Sequence, residues 1–210
     1  MNLVVDTATQ RPVVGLADEI GRLVGEQQWT SRHRHGEELL GRIDELLISA
    51  NIARRALGGV ICGTGPGSFT GLRIGLATAK TIAYALAVPL VGVSTTRALA
   101  RAALTADSTL RELTVWLPAG AADRYVQRFR VVDGEPREAG APKLTVAQPT
   151  ADEIVGEEVD GLAAALATLG ARALAAGKTD DPHTLVPAYV ALPRGIARAA
   201  AEMTWSPDLR

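Results

Sequence analysis

Three groups of residues in this 210-residue sequence have the types and spacing that could do chemistry. The first is glycine-rich: Gly63, Gly65, Pro66 and Gly67, followed by Ser68, Thr70, Gly71 and Gly75. Such a loop before a helix can hold phosphate through backbone N–H groups and the positive end of the helix dipole. The nucleotide-loop patterns are incomplete, however. G-x-x-x-x-G-K-[ST] fails because no lysine follows the loop before Lys80, and G-x-G-x-x-G fails because Thr70 stands where the third glycine belongs. The second group is Asp6-Thr7, just after the apolar run Leu3-Val4-Val5. A carboxylate there could face phosphate and metal, but one carboxylate cannot orient Mg²⁺ and a triphosphate alone. A strand-end Asp hydrogen-bonded to a turn is the favoured reading. The third is His33 and His35, spaced i, i+2 between Arg32 and Arg34, with His183 far away. On a helix that spacing points the rings apart, and zinc would need further ligands. Ser68 lacks the G-x-S-x-G frame because Pro66 takes the first glycine's place, and Cys62 lies within an apolar run. No catalytic residue and no metal site is expected.

The elements that position these residues follow from periodicity. Leu3–Val5, Val13–Ala17 and Leu23–Trp29 read as strands, and residues 36–50 as a helix with Leu39, Leu40, Ile43, Leu46, Leu47 and Ala50 on one stripe. Ala56–Cys62 reads as a buried strand, followed by the loop and a helix over about 70–87, capped by Ser68 or Thr70. Leu90–Val93 is a strand, and Ser94 or Thr95 caps a helix through about Leu104. After a polar stretch the order restarts. Strands are expected at Leu113–Leu117, Tyr125–Val132, Lys143–Ala147 and Leu185–Val190, with a turn at Asp133-Gly134 and a helix over Gly161–Ala176 that stops at Gly177. An Ala-rich helical piece is expected from Arg194. The pattern predicts an α/β fold with mixed sheets and two units, 1–105 and a truncated repeat over 106–210.

The helix after the loop carries Gly71, Gly75, Ala79, Ala83 and Ala87 at every fourth position. Each interior glycine costs about 1 kcal/mol relative to alanine, so something is expected to approach this face closely. Two readings stand: packing inside the same chain, or contact with another protein. On the second, Gly75→Leu is expected to disrupt pairing and leave the monomer at least partly folded.

The run Gly65-Pro66-Gly67-Ser68-Phe69-Thr70-Gly71-Leu72-Arg73-Ile74-Gly75 resembles the signature of the TsaB family, non-catalytic partners in bacterial tRNA threonylcarbamoyladenosine synthesis. The resemblance extends loosely from residue 1 to about 135. It implies two ribonuclease-H-like subdomains of the actin and sugar-kinase superfamily, the second one truncated. It also implies a scaffold for TsaD, acting with the ATPase TsaE, in moving threonylcarbamoyl to N6 of adenosine 37 of tRNAs reading ANN codons. ATP and metal would then sit in the partner subunits, with no cofactor in this chain and tRNA met only through the complex. Asp6, Thr7, Gly65, Gly67, Ser68 and Thr70 would be a vestigial phosphate site. Leu39, Ile43, Leu46 and Leu47 on one helix, with Gly71, Arg73, Gly75, Ala79 and Ala83 on the next, would form the partner interface. Two helices from each chain would make a four-helix bundle, and alone the chain would pair with itself. Two departures from the family pattern stand out: Pro118-Ala119-Gly120 replaces an Asp-Ala-Arg triplet, and Pro187-Ala188-Tyr189-Val190-Ala191 lacks the arginine of a Pro-x-Tyr-Leu-Arg ending. The alternatives are an actin-like ATP-dependent phosphotransferase using Asp6, Thr7 and the Gly65–Thr70 loop, and a glycoprotease-like peptidase using Ser68.

Composition narrows the classes. A net charge of −1 provides no broad basic field and argues against a stand-alone RNA binder. The hydrophobic share is 47% with only 4% aromatics, so the core must be aliphatic and alanine-rich. The lone Cys62 rules out an internal disulfide and fits a reducing compartment. No leader and no uncharged membrane-length run is read, so the chain is expected to be soluble and cytoplasmic, with no membrane partner.

Overall fold

The computed structural model describes residues 1–30, 35–120, 122–150 and 153–190. The first five strands are β1 (Asn2–Asp6), β2 (Val13–Ala17), β3 (Leu23–Gln28), β4 (Gly59–Gly63) and β5 (Leu90–Val93). They form one mixed sheet in the order β3-β2-β1-β4-β5, antiparallel across β3-β2-β1 and parallel across β1-β4-β5. Helices α1 (His35–Ser49) and α2 (Phe69–Leu86) cover one face. The second sheet holds β6 (Glu112–Pro118), β7 (Arg124–Val132), β8 (Glu135–Glu138), β9 (Lys143–Thr145) and β10 (Ile154–Val155). Its order, β10-β6-β7-β8 with β9 also on β7, repeats β4-β1-β2-β3 and stops where β5 would follow. Among the described residues, the expected truncation therefore takes the form of a missing fifth strand. In addition, β9 stands where the first half has α1.

Two helices are shared between the sheets. Helix α3 (Thr95–Ala106) packs on β6, β7 and β8, while α4 (Leu162–Ala175) packs on β1, β2, β4 and β5 and against α3. One core therefore runs through both halves: Val4, Val13, Ile61 and Val91 from the first sheet, Leu99 and Leu166 from the helices, and Val115, Leu117 and Phe129 from the second. A second core lies under α1 and α2. The caps form as read: the Ser68 hydroxyl accepts from Gly71 N–H at 3.2 Å, and the Ser94 hydroxyl from Arg97 N–H at 3.3 Å.

Several expectations need correction. The fourth strand starts at Gly59 rather than Ala56, because Arg54–Ala56 is a 3₁₀ turn. Leu185–Val190 is not a strand, and β9 is only three residues long. β8 and β10 were not foreseen. β8 reads Glu-Pro-Arg-Glu, too polar for a strand pattern, and forms because Asp133 (φ 54) and Gly134 (φ 72) turn the chain back onto β7. The largest correction concerns the two helical stripes. Leu39, Ile43, Leu46 and Leu47 are at most 4% exposed and lie in the core beneath α1 and α2, with Ala79 and Ala83 beside them. Amphipathic helices put their apolar stripe on the nearest sheet, so these residues are the floor of the helix layer and not its outer surface. The helical piece from Arg194, Ala191, and Arg32, His33 and Arg34 lie outside the described residues.

Candidate functional site

The site is built where β1 ends, the glycine loop passes, and α2 and α3 begin. Asp6 is fully buried. Its Oδ1 accepts from Ala8 N–H at 2.7 Å and its Oδ2 from the Thr95 hydroxyl at 2.7 Å. That hydroxyl in turn accepts from Gly65 N–H at 3.0 Å, which ties β1, the loop and α3 into one network. Burial pushes the Asp6 carboxyl up to about 6, against the lowering by the Thr95 hydroxyl and Ala8 N–H. Thr7 donates its hydroxyl to Gly71 O at 2.7 Å.

The glycines of this region are required by closeness. A Cβ on Gly63 would sit 1.8 Å from Asp6 Oδ2, one on Gly71 2.0 Å from Thr7 O, and one on Gly75 2.1 Å from Thr7 Oγ1. The close approach that the small-residue stripe predicts is real, but the approaching backbone is this chain's own β1 end. Packing within the chain is thus the reading that holds for Gly71, Gly75, Ala79 and Ala83, and the expectation for Gly75→Leu reverses: the clash falls inside the monomer.

The same packing spends several of the donors a phosphate would need. Gly65 N–H goes to Thr95 Oγ1, Ser68 N–H to Ala8 O, Gly71 N–H to Ser68 Oγ and Leu72 N–H to Ser68 O. Asp6, Thr7, Gly65, Gly67 and Ser68 come together as expected, while Thr70 faces outward and is exposed. What they form is a closed hydrogen-bonded knot rather than a cradle. The chemistry open to Cys62 is also restricted: its thiol is buried and pushed well up, mainly by burial and then by the Asp6 charge. Among the described residues no cluster of three His, Cys, Asp or Glu could hold a metal, and the His183 ring meets Tyr84 edge-on at 5.7 Å.

Two features escaped the sequence reading. Arg11, in the β1–β2 turn, reaches across to the second half. Its guanidinium donates to Glu157 O at 2.8 Å, to Asp160 Oδ1 at 2.5 Å and to Gln28 Oε1 at 2.7 Å. The segment 178–190 is a strap along the β5 edge and α2. Asp180 N–H bonds Leu90 O, Gly92 N–H bonds Asp180 Oδ2, Lys80 Nζ bonds Leu185 O, and Ala188 N–H bonds Thr64 O. It ends on a stack in which Arg73 lies 4.0 Å above the Phe69 ring and donates from Nε to the Tyr189 hydroxyl at 3.0 Å. The Pro-x-Tyr ending was the available signal, since its tyrosine is the stacking residue. Arg73 is exposed, so of the interface residues named from sequence it alone faces outward. Other exposed positions of this layer include Leu40 (57%) and Ile48 (78%) on α1 and Ala77, Thr81 and Tyr84 on α2.

Residues 28–201 match the family model described as TsaD: tRNA N6-adenosine threonylcarbamoyltransferase. The chain is 31% identical over 111 residues to the tRNA threonylcarbamoyladenosine biosynthesis protein TsaB of Escherichia coli, covering 53% of this chain and 47% of that one. It is 31% identical over 98 residues to the protein of the same name from Bacillus subtilis, covering 47% and 42%. An uncharacterised protein of Mycobacterium tuberculosis is 36% identical over 92 residues, 43% of this chain and 44% of that one. The chain thus spans about half or less of the length of these curated relatives. In fold it is similar to YeaZ from Pseudomonas aeruginosa, with a TM-score of 0.76, 24% identity, and coverage of 90% of this chain and 98% of that one. Among the described residues no helix is long and apolar enough to cross a membrane.

Proposed function

This chain belongs to the TsaB family, within the TsaD-type domain family, and from that premise we propose that it is a scaffold subunit in tRNA threonylcarbamoyladenosine synthesis. Its role is to hold TsaD in the conformation competent to transfer threonylcarbamoyl to N6 of adenosine 37. It does this by binding that conformation better than others and so raising its population. TsaD and TsaE supply metal, ATP and chemistry; this chain supplies no reacting group.

The observation that carries this reading is the knot at Asp6. A phosphotransferase of this fold class needs a carboxylate and loop N–H groups free to meet metal and phosphate. Here the carboxylate is sealed and bonded, and Gly65, Ser68, Gly71 and Leu72 N–H are already donated. The pairing surface is the outer face of α1 and α2, with Leu40, Ile48, Ala77, Thr81, Tyr84 and Arg73, rather than the inward stripes. That face meets TsaD in the complex and a second copy of the chain when TsaD is absent. A pairing of this kind should bury roughly 1,200–2,000 Å².

The test is reconstitution with TsaD, TsaE, ATP, threonine, bicarbonate, the enzyme that makes the adenylate, and tRNA. The chain alone should turn nothing over, and adding it to TsaD should raise modified adenosine. Leu40→Glu with Ile48→Glu should fold, lose the complex by light scattering and lose the stimulation. Tight Mg²⁺-dependent ATP binding by the isolated chain, with phosphoryl transfer, would sink the proposal.

A further inference from the structure

The second sheet has one face covered by helix α3 and an outer face on which Trp116 is buried while most of the charged residues are exposed. Helix α3 packs on the side presenting Leu113, Val115, Leu117, Tyr125 and Phe129. Successive residues of a strand alternate sides. The opposite face therefore carries Glu112, Thr114 and Trp116 from β6 and Arg124, Val126, Arg128, Arg130 and Val132 from β7. Register adds Arg137 opposite Arg130 and Lys143 opposite Val126. Five cations thus share one face of a chain whose net charge is −1, and Arg128, Arg130, Arg137 and Lys143 are exposed.

Little neutralises them. Glu112 lies 3.3 Å from Arg130 Nε, and both side chains are mostly solvent-exposed. Glu135 has the same strand parity, but it turns back to Arg101 and Arg172 and is spent there. Arg124 donates one N–H to Asp123 O at 3.0 Å. Among the described residues Arg128, Arg137 and Lys143 make no ion pair. The charges run along β7 from residue 124 to 130, about 20 Å at about 3.3 Å per residue, so they can meet several phosphates of one strand.

We infer that this outer face of β6–β9 is a docking surface for the phosphodiester backbone of RNA. The inference deepens the scaffold reading and rests on it for the choice of RNA. Four of the five cations are arginines, whose planar guanidinium suits the two oxygens of a phosphate. The aromatic residue of the face, Trp116, is 7% exposed, so no base can stack on it. The surface holds the RNA backbone in place and does not read its sequence.

The experiment titrates the full chain into fluorescently labelled tRNA and follows anisotropy between 25 and 200 mM NaCl. With four or five contacts the slope of log K against log salt is expected at about −3 to −4. Arg128→Gln with Arg137→Gln should flatten it by about 1.5–2 and weaken binding about tenfold or more at 50 mM salt. Arg22→Gln with Arg55→Gln, on the first half, changes net charge equally and should leave the slope alone. Each variant is first checked for an unchanged urea midpoint. An unchanged slope in Arg128→Gln/Arg137→Gln overturns the inference. So does poly-glutamate competing as well as RNA at equal charge, which would mean an acidic-peptide surface, or duplex DNA binding more tightly than tRNA. The two readings fail separately. Salt slopes that hold without stimulation of TsaD leave this surface standing and remove the scaffold role, while stimulation with unmoved slopes removes the surface alone.

Discussion

Replacing Gly75 by alanine asks directly what the row of small residues is for. The new methyl would sit 2.1 Å from Thr7 Oγ1 and 3.3 Å from Thr7 Cβ. Thr7 is 2% exposed and donates to Gly71 O at 2.7 Å, so it has no free space to turn into. Alanine gains about 1 kcal/mol of helix propensity over glycine. Against that stand about 1–3 kcal/mol for overpacking and about 1–3 kcal/mol for a buried hydroxyl forced off its acceptor. The net is a loss of about 1–5 kcal/mol, or a fall in Tm of roughly 2–20 °C for a chain of this size. Thr7→Ala alone should cost about 1 kcal/mol through the lost hydrogen bond. In the Gly75→Ala background it removes the clashing oxygen, so the pair should couple favourably by about 1–2 kcal/mol. Urea unfolding followed by tryptophan fluorescence gives all four corners of the cycle. The loss should not depend on protein concentration, because the clash is within one chain. If Gly75→Ala stabilises by about 1 kcal/mol, as at an open helix position, or if the two changes simply add, the account of the stripe is wrong.

Three other outcomes follow from the same geometry. The Asp6 carboxyl is raised from 3.8 to about 6, so the native state binds the extra proton between those values and wild-type stability falls as pH rises through that window. The fall totals about 3 kcal/mol at 1.36 kcal/mol per unit, and the urea midpoint of Asp6→Asn should lack it; parallel profiles for the two proteins would refute the buried-carboxylate assignment. Arg11→Ala should cost about 1–2 kcal/mol, since three bonds are lost but all near the surface, and should speed amide exchange around residues 156–160; protection unchanged there would mean the clasp holds nothing. Tyr189→Ala removes the stacking partner of Phe69 and Arg73 and should make the segment 178–190 more open to limited proteolysis, with less than about 1.5 kcal/mol lost overall; unchanged cleavage would show that the strap is anchored elsewhere.

Most of the scaffold was legible because its elements obey local rules. β1, β2 and β5 are short apolar runs, α2 and α3 announce themselves through Ser68 and Ser94, and Asp133-Gly134 marks its hairpin. Helical spacing also found Gly71, Gly75, Ala79 and Ala83, but spacing reveals a face without saying what lies on it. The object pressed on its two glycines is Thr7, sixty-four residues earlier than Gly71, and no local pattern encodes that distance. The strap was missed for a related reason. Residues 178–190 bond mainly through backbone groups to β5 and the loop, so their side chains carry no strand period. β10 is two residues long and pairs with β6 across nearly forty positions, below the length at which alternation can be seen.

The exchange of helices between the sheets sets a timetable for synthesis. All strands of the first sheet lie before residue 94, yet the helix that roofs one of their faces begins at Leu162. As the chain leaves the ribosome, Val4, Val13, Ile61 and Val91 stand uncovered through the translation of some seventy further residues, several seconds at ordinary elongation rates. The nascent first half thus keeps an apolar face bare until α4 emerges, and rare codons between positions 94 and 162 should cost the cell more soluble protein than the same codons placed after 175.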